Sequence, residues 1–376
     1  MHDWYGKRSN LDVAVEWFDG EDAGVFATQL AAVEARYRER LAKGRQIFIY
    51  LESPCNPHGY VLDVPGICRI AHAKGLTVIC DATIATPFLQ PTLRRTDKSE
   101  RPDFIIHSYT KDLSGSGNTT AGVVIGRAER MFLPKGAVIR GTGHDGWERE
   151  YRWDETMFWN VYYIKGAFLD SDKAFEVLSG MRTTELRLLA KCINTIVLAR
   201  CLALNRMINV HCAAVPGNRN AALTARLMKV GLPAPLFTID FEGSPASPLK
   251  LPKERLKRLF DSLEPAFGLQ VSLGQINTVV LCPALTSHSE LKQQALQDAG
   301  ISLSTIRISV GDEDPRYLLD HLARAAQIAV GDLAPEFVAG FPSAATISEV
   351  YGQVYVDVHR RWIDAKRAGW NSTRGA

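Results

Sequence analysis

The 376-residue sequence has no long apolar run and little net charge. No stretch approaches the roughly 20 consecutive apolar residues that a membrane span requires, and the opening residues lack the basic and apolar regions of a signal peptide. The 44 basic and 41 acidic residues nearly cancel to a net charge of +3. This balance gives no reason to expect nucleic acid or a membrane as a partner, and we expect a cytoplasmic protein.

The sequence also lacks the cysteine and glycine patterns of several common sites. Its seven cysteines are scattered and form no C-x-x-C pair, which argues against a disulfide framework or a zinc site, and we expect no bound metal. The glycine-rich segment from Gly115 to Gly122 (GSGNTTAG) does not complete the G-x-G-x-x-G fingerprint, so an NAD-binding Rossmann protein is the weakest of the functions considered. The 46% hydrophobic content is ample for a large core.

The first half of the chain alternates short apolar runs with helical patterns, which is typical of β-α-β units and of a mostly parallel sheet covered on both faces. An amphipathic helix is predicted from Val25 to Gly44 and a second one from Val64 to Gly75. The predicted strands are Gln46 to Ser53, Leu76 to Thr83, Asp103 to Thr110 and Ala121 to Arg127. The segment from Gly136 to Asp154 has no clear period, and we expect an exposed loop there.

The second half has a different pattern. A long helix is predicted over residues 173–205 with a bend near Gly180, and strands mixed with helices follow, which is an α+β arrangement. We therefore expect a large domain over residues 1–172, a linker helix and smaller domain over 173–330, and a C-terminal extension over 331–376. The extension begins with glycine and proline and then becomes helical, so we expect it to pack as an arm.

A lysine and a carboxylate each follow one of the parallel strands. Lys111 comes directly after the third strand, and Asp81 lies at the end of the second. Ligand sites in α/β sheets gather at these carboxyl ends. Pyridoxal phosphate (PLP) needs such a pair, because an amine binds its aldehyde and an acid keeps its pyridine nitrogen protonated. Ser108 and Thr110 add hydroxyl groups suited to a phosphate. Taken alone, the pair is more often a surface lysine and a helix-capping aspartate.

Further segments occur in a characteristic order. They are YLESPCNPHGYVLDV, ICDATIATPFLQP, IIHSYTKDLSGSGNTTAG, GMRTTELRL, VSLGQINTVV and IRISVGDEDP. Together they resemble the PLP-dependent enzymes of Cys/Met metabolism, which include cystathionine synthases and lyases, methionine γ-lyase and O-acylhomoserine sulfhydrylases. The resemblance covers about residues 3–330. It implies PLP as the cofactor and the type I, aspartate-aminotransferase-like α/β fold, with a mostly parallel large domain and a smaller α+β domain.

The resemblance also implies roles for individual residues. Lys111 corresponds to the Schiff-base lysine and proton shuttle, and Asp81 to the partner of the pyridinium nitrogen. The other implied site residues are two phosphate ligands (Ser108 and Thr110), a residue near the cofactor's ring hydroxyl (Asn56), a tyrosine stacked on the ring that assists the leaving group (Tyr5), a clamp for the substrate α-carboxylate (Arg307) and a serine that positions the lysine and the substrate (Ser272). Four of these residues have an ordinary alternative: Asn56 as a turn asparagine, Tyr5 as a terminal aromatic, Arg307 as a strand arginine in an ion pair and Ser272 as a core serine.

The implied reaction is β- or γ-elimination or replacement on a sulfur-containing or O-acylated amino acid. A small amino-acid substrate and a homo-oligomer, either a dimer or a tetramer, are expected with it. The family's N-terminal arm and glycine-containing helix start, which hold the cofactor phosphate, have no counterpart before DWYG. Three readings stay open at this point: a truncated reading frame, a partner chain that completes the site, or a non-catalytic relative that keeps the fold as a binding subunit.

Overall fold

The structure is a computed structural model that describes residues 13–142, 148–244 and 247–374. Its helices, in chain order, are α1 (Ala23–Arg36), α2 (Arg38–Ala42), α3 (Val64–Ala73), α4 (Thr86–Leu89), α5 (Ala128–Met131), α6 (Ser171–Met181), α7 (Thr184–Leu202), α8 (Ala221–Leu227), α9 (Lys253–Asp261), α10 (Gln293–Asp298), α11 (Pro315–Val330), α12 (Pro335–Ala339) and α13 (Ala344–Arg374). Its strands are β1 (Phe48–Glu52), β2 (Thr77–Asp81), β3 (Phe104–Ser108), β4 (Gly122–Gly126), β5 (Val138–Thr142), β6 (Glu148–Arg152), β7 (Asn209–His211), β8 (Leu236–Asp240), β9 (Gly243–Ser244), β10 (Ser247–Pro248), β11 (Gly268–Leu269), β12 (Val279–Leu281) and β13 (Ile306–Ser309). None of the helices in these ranges is both long and apolar enough to cross a membrane.

The first sheet has the order β1-β2-β3-β4, and its strands lie inside the four that the sequence predicts. The strands β1, β2 and β3 are parallel, whereas β4 runs antiparallel to β3. Glu52 is paired with Asp81, and Asp81 is paired with Ile106. The carboxyl ends of the three parallel strands therefore meet at one edge of the sheet, which is where Lys111 follows β3.

The two faces of this sheet differ in burial. Ile49, Leu51 and Cys80 are buried and pack with residues of α1 and α3 into a small core. On the other face, Phe48 is 60% exposed and Tyr50 is 37% exposed. The strands therefore alternate between the core and a partly open face, and the expectation of a sheet covered on both faces is wrong for the described residues. Glu52 and Asp81 lie on the open face with Tyr50, because alternate residues of a strand share a face.

The second sheet belongs to the α+β part of the chain and has the order β11-β12-β13-β8-β7. Only the β11–β12 pair is parallel; the other described pairs in this sheet are antiparallel. All four residues of β13 and all five of β8 are buried. Together with the apolar faces of α7 and α11 they form the main hydrophobic core.

The predicted long helix over 173–205 is two helices, α6 and α7, with a break between Met181 and Thr184. Gly180, where we expected a bend, lies against the turn that follows Lys111. A Cβ atom at this position would be 2.1 Å from the carbonyl oxygen of Ser114, so only glycine fits. The break thus lets α6 and α7 both contact the turn after β3.

The expectation of a loop between Gly136 and Asp154 is also wrong. Val138–Thr142 and Glu148–Arg152 pair as an antiparallel hairpin. Most side chains of both strands are exposed, so burial imposes no alternation of apolar and polar residues that the sequence could reveal.

The C-terminal extension is helical and packs on the body of the protein, as predicted. Along α13, Val354, Val358 and Trp362 are at most 8% exposed and join the main core. Helix α13 lies against α7, and the Lys366 ammonium of α13 pairs with the Glu185 carboxylate at the start of α7 at 2.6 Å. One face of α13 therefore belongs to the main core.

Candidate active site

Lys111 lies in a single π-helical turn, Tyr109–Leu113, which follows β3 at the carboxyl edge of the first sheet. Its own backbone angles (φ −92°, ψ −143°) are not helical, so the turn changes direction at this residue. The side chain is half-buried, and its Nζ donates a hydrogen bond to the Ser272 Oγ at 2.9 Å. Two residues from different halves of the sequence, both predicted for the site, are thus in direct contact.

The environment of Lys111 lowers the pKa of its amine. The largest cause is burial, and the positive charge of Arg307 acts in the same direction, whereas Asp112 opposes it. A lowered pKa increases the fraction of neutral amine near pH 7, and only the neutral amine can attack an aldehyde. The amine is therefore suited to covalent chemistry.

Arg307 lies in β13 and is 1% exposed. Its Nη1 donates to the Asn56 Oδ1 at 3.0 Å, and its Nη2 donates to the Ser272 carbonyl at 2.6 Å. Burial lowers the pKa of this guanidinium to about 10, although the Glu52 charge opposes the change. Its Nε is buried and makes no hydrogen bond within the described ranges. Lys111, Ser272, Arg307 and Asn56 thus form one network of polar contacts.

Asn56 belongs to the loop that follows β1, and this loop is fixed at both ends. The Asn56 N–H donates to the Glu52 Oε1 at 3.0 Å. At Gly59 the backbone has φ +70°, and a Cβ atom there would be 2.0 Å from the Leu236 carbonyl oxygen, so the loop packs tightly on β8 of the second sheet. This packing brings Asn56 to the Arg307 guanidinium.

Asp81 ends β2 on the open face of the sheet. Its Oδ1 accepts a hydrogen bond from the Thr83 N–H at 2.9 Å, and the Tyr50 hydroxyl is 3.5 Å from its Oδ2. The Ser108 N–H in turn donates to the Thr83 Oγ1 at 2.9 Å. Asp81 is therefore linked to the end of β3 through Thr83, and it lies at the same edge of the sheet as Lys111.

Ser108 and Thr110 flank the turn of Lys111. Both side chains are partly buried. The Thr110 hydroxyl exchanges hydrogen bonds with the backbone of Ala121, donating to its carbonyl at 3.3 Å and accepting from its N–H at 3.1 Å. These bonds hold the start of the turn against the segment that leads into β4.

Comparison with known proteins decides the family. The family described as Cys/Met metabolism PLP-dependent enzyme matches residues 21–327. The chain belongs to this family. The assignment confirms the resemblance that the sequence motifs indicate, and with it PLP as the family's cofactor.

Curated relatives in the family include two bacterial enzymes. The chain is 29% identical to an L-methionine gamma-lyase from Pseudomonas putida, over 74% of this chain and 60% of that protein. It is 30% identical to an O-succinylhomoserine sulfhydrylase from Pseudomonas aeruginosa, over 76% of this chain and 61% of that protein. The chain thus spans about three fifths of the length of these relatives.

A solved structure shows the same fold. The apo structure of a methionine gamma lyase from Micromonospora echinospora matches with a TM-score of 0.64 and 26% identity, covering 86% of this chain and 74% of that one. The predicted α/β fold of the PLP-dependent transferases is confirmed by this match.

One predicted site residue of the family pattern, Tyr5, lies outside the described residues. Glu52, which ends β1 on the edge that carries Asp81, was not predicted for the site. The pKa of the Glu52 carboxyl is raised to about 7, chiefly by burial and also by the Asp81 charge, while the bond from the Asn56 N–H and the Arg307 charge oppose the rise. The sequence signal for Glu52 was its position as an acidic residue at the end of the first predicted strand.

A second feature missed from the sequence lies directly behind Lys111. Asp112 and Lys191 are 1% and 0% exposed, and the Lys191 Nζ is 2.7 Å from the Asp112 Oδ1. The two residues are far apart in the sequence, so only the folded chain reveals this buried ion pair.

Proposed function

We propose that this chain holds PLP covalently on Lys111 and catalyses β- or γ-elimination or replacement on a sulfur-containing or O-acylated amino acid. The observation that carries the proposal is the contact of Lys111 with Ser272, whose carbonyl also binds Arg307. These contacts support the proposal, because a lysine amine is able to condense with an aldehyde and a guanidinium is able to bind a carboxylate.

The chemistry of the donor set fits this cofactor. Lys111 supplies an amine of lowered pKa, and Asp81 supplies a carboxylate at the same edge of the sheet. Ser108 and Thr110 bring hydroxyl groups to the same turn. When bound, PLP supplies an aldehyde and a ring that accepts electrons from the substrate.

Each residue then has a defined task. The Asp81 carboxylate would accept a hydrogen bond from the pyridine N–H of bound PLP, and the Ser108 and Thr110 hydroxyl groups would hold its phosphate. The Lys111 amine would remove the proton from the substrate α-carbon, and in a γ-reaction it would also move a β-proton. We assign to Tyr5 the stacking on the ring and assistance to the leaving group.

Arg307 and its neighbours bind the substrate. The rigid guanidinium of Arg307 binds the α-carboxylate with two parallel donors, and its buried Nε supplies a donor that has no other described partner. Asn56 and Ser272 hold the guanidinium by an amide oxygen and a backbone carbonyl. The substrate is therefore a free amino acid with an unmodified carboxylate.

We propose that the protein works as a homo-oligomer, because a continuous part of the chain before and within α6 and α7 exposes large apolar side chains. These include Tyr163, Ile164, Phe168, Phe175, Leu178 and Leu186, each at least 58% exposed. Such exposure is typical of surfaces that a second subunit covers. Light scattering with size-exclusion chromatography should report a dimer or tetramer, and a monomer at micromolar concentration would contradict this part of the proposal. The free cysteine thiols fit a reducing compartment, and we propose the cytoplasm.

The covalent proposal is tested by reduction with borohydride after saturation with PLP, followed by peptide mapping. The expected result is a reduced pyridoxyl group on the peptide that contains Lys111, and its loss in the variant Lys111→Ala. The matched control is Lys135→Ala, a lysine in an exposed turn, which should be labelled like the unchanged protein. Recovery of unmodified Lys111 from the saturated protein would contradict the proposal and favour a relative that keeps the fold without catalysis.

A further inference from the structure

The turn that carries Lys111 is anchored to α7 by an ion pair with almost no solvent exposure. Asp112 directly follows Lys111, and its carboxylate accepts from the Lys191 ammonium at 2.7 Å. Burying two charges in this way is costly, and it stabilises a protein only where the geometry and the additional hydrogen bonds are good. The pair therefore calls for a role beyond general packing.

The ammonium of Lys191 makes a second contact, with the backbone carbonyl of Gln275. Gln275 lies in the same loop as Ser272, whose hydroxyl accepts from Lys111. One buried ammonium thus holds both sides of the contact between Lys111 and Ser272: the residue after the lysine on one side, and the loop of the serine on the other.

Close packing between the same two segments leaves little freedom. At Gly274 the backbone has φ +73°, and a Cβ atom there would be 2.7 Å from the Asp112 nitrogen and 3.0 Å from the Lys111 Cβ. The Asp112 carbonyl also accepts from the Arg187 Nη1 of α7 at 2.9 Å. A small displacement of Asp112 would therefore displace Lys111.

The charges near the Lys111 amine also point to a role for Lys191. The two charged groups that affect the Lys111 amine are Arg307 and Asp112, which act in opposite directions. The Lys191 ammonium is bonded to Asp112 and offsets its negative charge. Without that offset, the Asp112 carboxylate would hold a proton on Lys111 more strongly.

We propose that Lys191 is a positioning residue, which fixes and neutralises Asp112 behind Lys111 and thereby keeps the Lys111 amine oriented and reactive. The role rests on the proposed function of Lys111 as the cofactor-binding lysine. Lys191 itself touches neither substrate nor cofactor in this scheme.

The experiment measures the titration of Lys111 in the protein without added PLP. Trace labelling with acetic anhydride between pH 6 and pH 11, followed by peptide mapping, reports the fraction of neutral amine at Lys111. Lys191→Met removes the cation that offsets Asp112, so the apparent pKa of Lys111 should rise by about one pH unit. The variant Asp112→Asn removes the anion and should lower it. The double variant Asp112→Asn with Lys191→Met should return close to the unchanged protein.

Two further variants separate charge from structure. Lys191→Arg keeps the positive charge and should keep the native titration of Lys111. Lys257→Met, which removes a lysine from an exposed pair with Asp261, is the matched control and should leave the titration unchanged. Circular dichroism checks that each variant is folded.

An unchanged titration in folded Lys191→Met and Asp112→Asn would overturn the proposal, and so would a shift in Lys191→Arg as large as in Lys191→Met. If Lys191→Met does not fold, the pKa of Lys111 is compared between Asp112→Asn and the double variant. It should be lowered in the first and close to that of the unchanged protein in the second. Because this assay uses no PLP, its failure is distinguishable from a failure of borohydride labelling at Lys111.

Discussion

Replacing Glu52 by glutamine should stabilise the protein at alkaline pH and have much less effect in acid. Burial raises the pKa of this carboxyl from 4.5 to about 7, with a contribution from the Asp81 charge. A group whose pKa is raised by folding stabilises the folded state most below its unfolded pKa, and this contribution is lost as the pH rises through about 7. Glutamine is neutral at every pH and does not incur this loss.

The magnitude follows from the two pKa values. The difference between 4.5 and about 7 corresponds to about 3 kcal/mol, at about 1.4 kcal/mol per pH unit. Glu52 keeps some solvent exposure, so about 2 kcal/mol is expected after screening. The glutamine Oε1 can still accept from the Asn56 N–H, so the substitution breaks no hydrogen bond that the structure shows at this oxygen.

The assay is urea denaturation of Glu52→Gln and the unchanged protein at pH 5 and pH 8.5. Glu16→Gln serves as the matched control. The Glu16 carboxylate accepts from the Tyr37 hydroxyl at 2.6 Å and from the Arg36 guanidinium at 2.7 Å, and these bonds lower its pKa. Its replacement should destabilise the protein equally at both pH values, since Glu16 is ionised at both. A gain for Glu52→Gln of the same size at pH 5 and pH 8.5 would refute the reasoning.

Three further substitutions test other parts of the structure. Trp362→Ala should lower the free energy of unfolding by about 3–5 kcal/mol, measured by urea denaturation, because its ring is 8% exposed in the main core. Lys191→Met should cost about 3–5 kcal/mol in the same assay because it removes one partner of a buried ion pair, and the double variant with Asp112→Asn should cost clearly less. Gly274→Ala should lower both the unfolding midpoint and the fraction of Lys111 labelled by borohydride, since its Cβ has no room.

Much of the fold is predictable from the sequence because it depends on local patterns. The strands around Ile49, Val78 and Ile105 are short, rich in β-branched and aromatic residues and bounded by turn residues, and each appears where it is predicted. The hairpin of β5 and β6 escaped prediction because its side chains are mostly exposed, so no core imposes a period on them. The division of α6 from α7 depends on the contact of Gly180 with Ser114, which is a tertiary contact.

In the candidate site too, local patterns are predictable and tertiary contacts are not. Lys111 and Asp81 are predicted because one follows a strand and the other ends one, and Ser272 and Arg307 because their local motifs resemble the family. The pairing of Asp112 with Lys191 joins two segments that are close only after folding, and neither residue has a local signal of its own. The roles of the site residues stay predictions until Lys111 is labelled.

Helix α7 is in contact with two parts of the protein that are far apart in sequence. In its first turn, Glu185 pairs with Lys366 of the C-terminal helix. Two residues further on, the Arg187 guanidinium donates to the backbone carbonyl of Asp112, next to Lys111. The C-terminal extension and the turn of Lys111 therefore share one supporting helix, and a displacement of α7 would affect both.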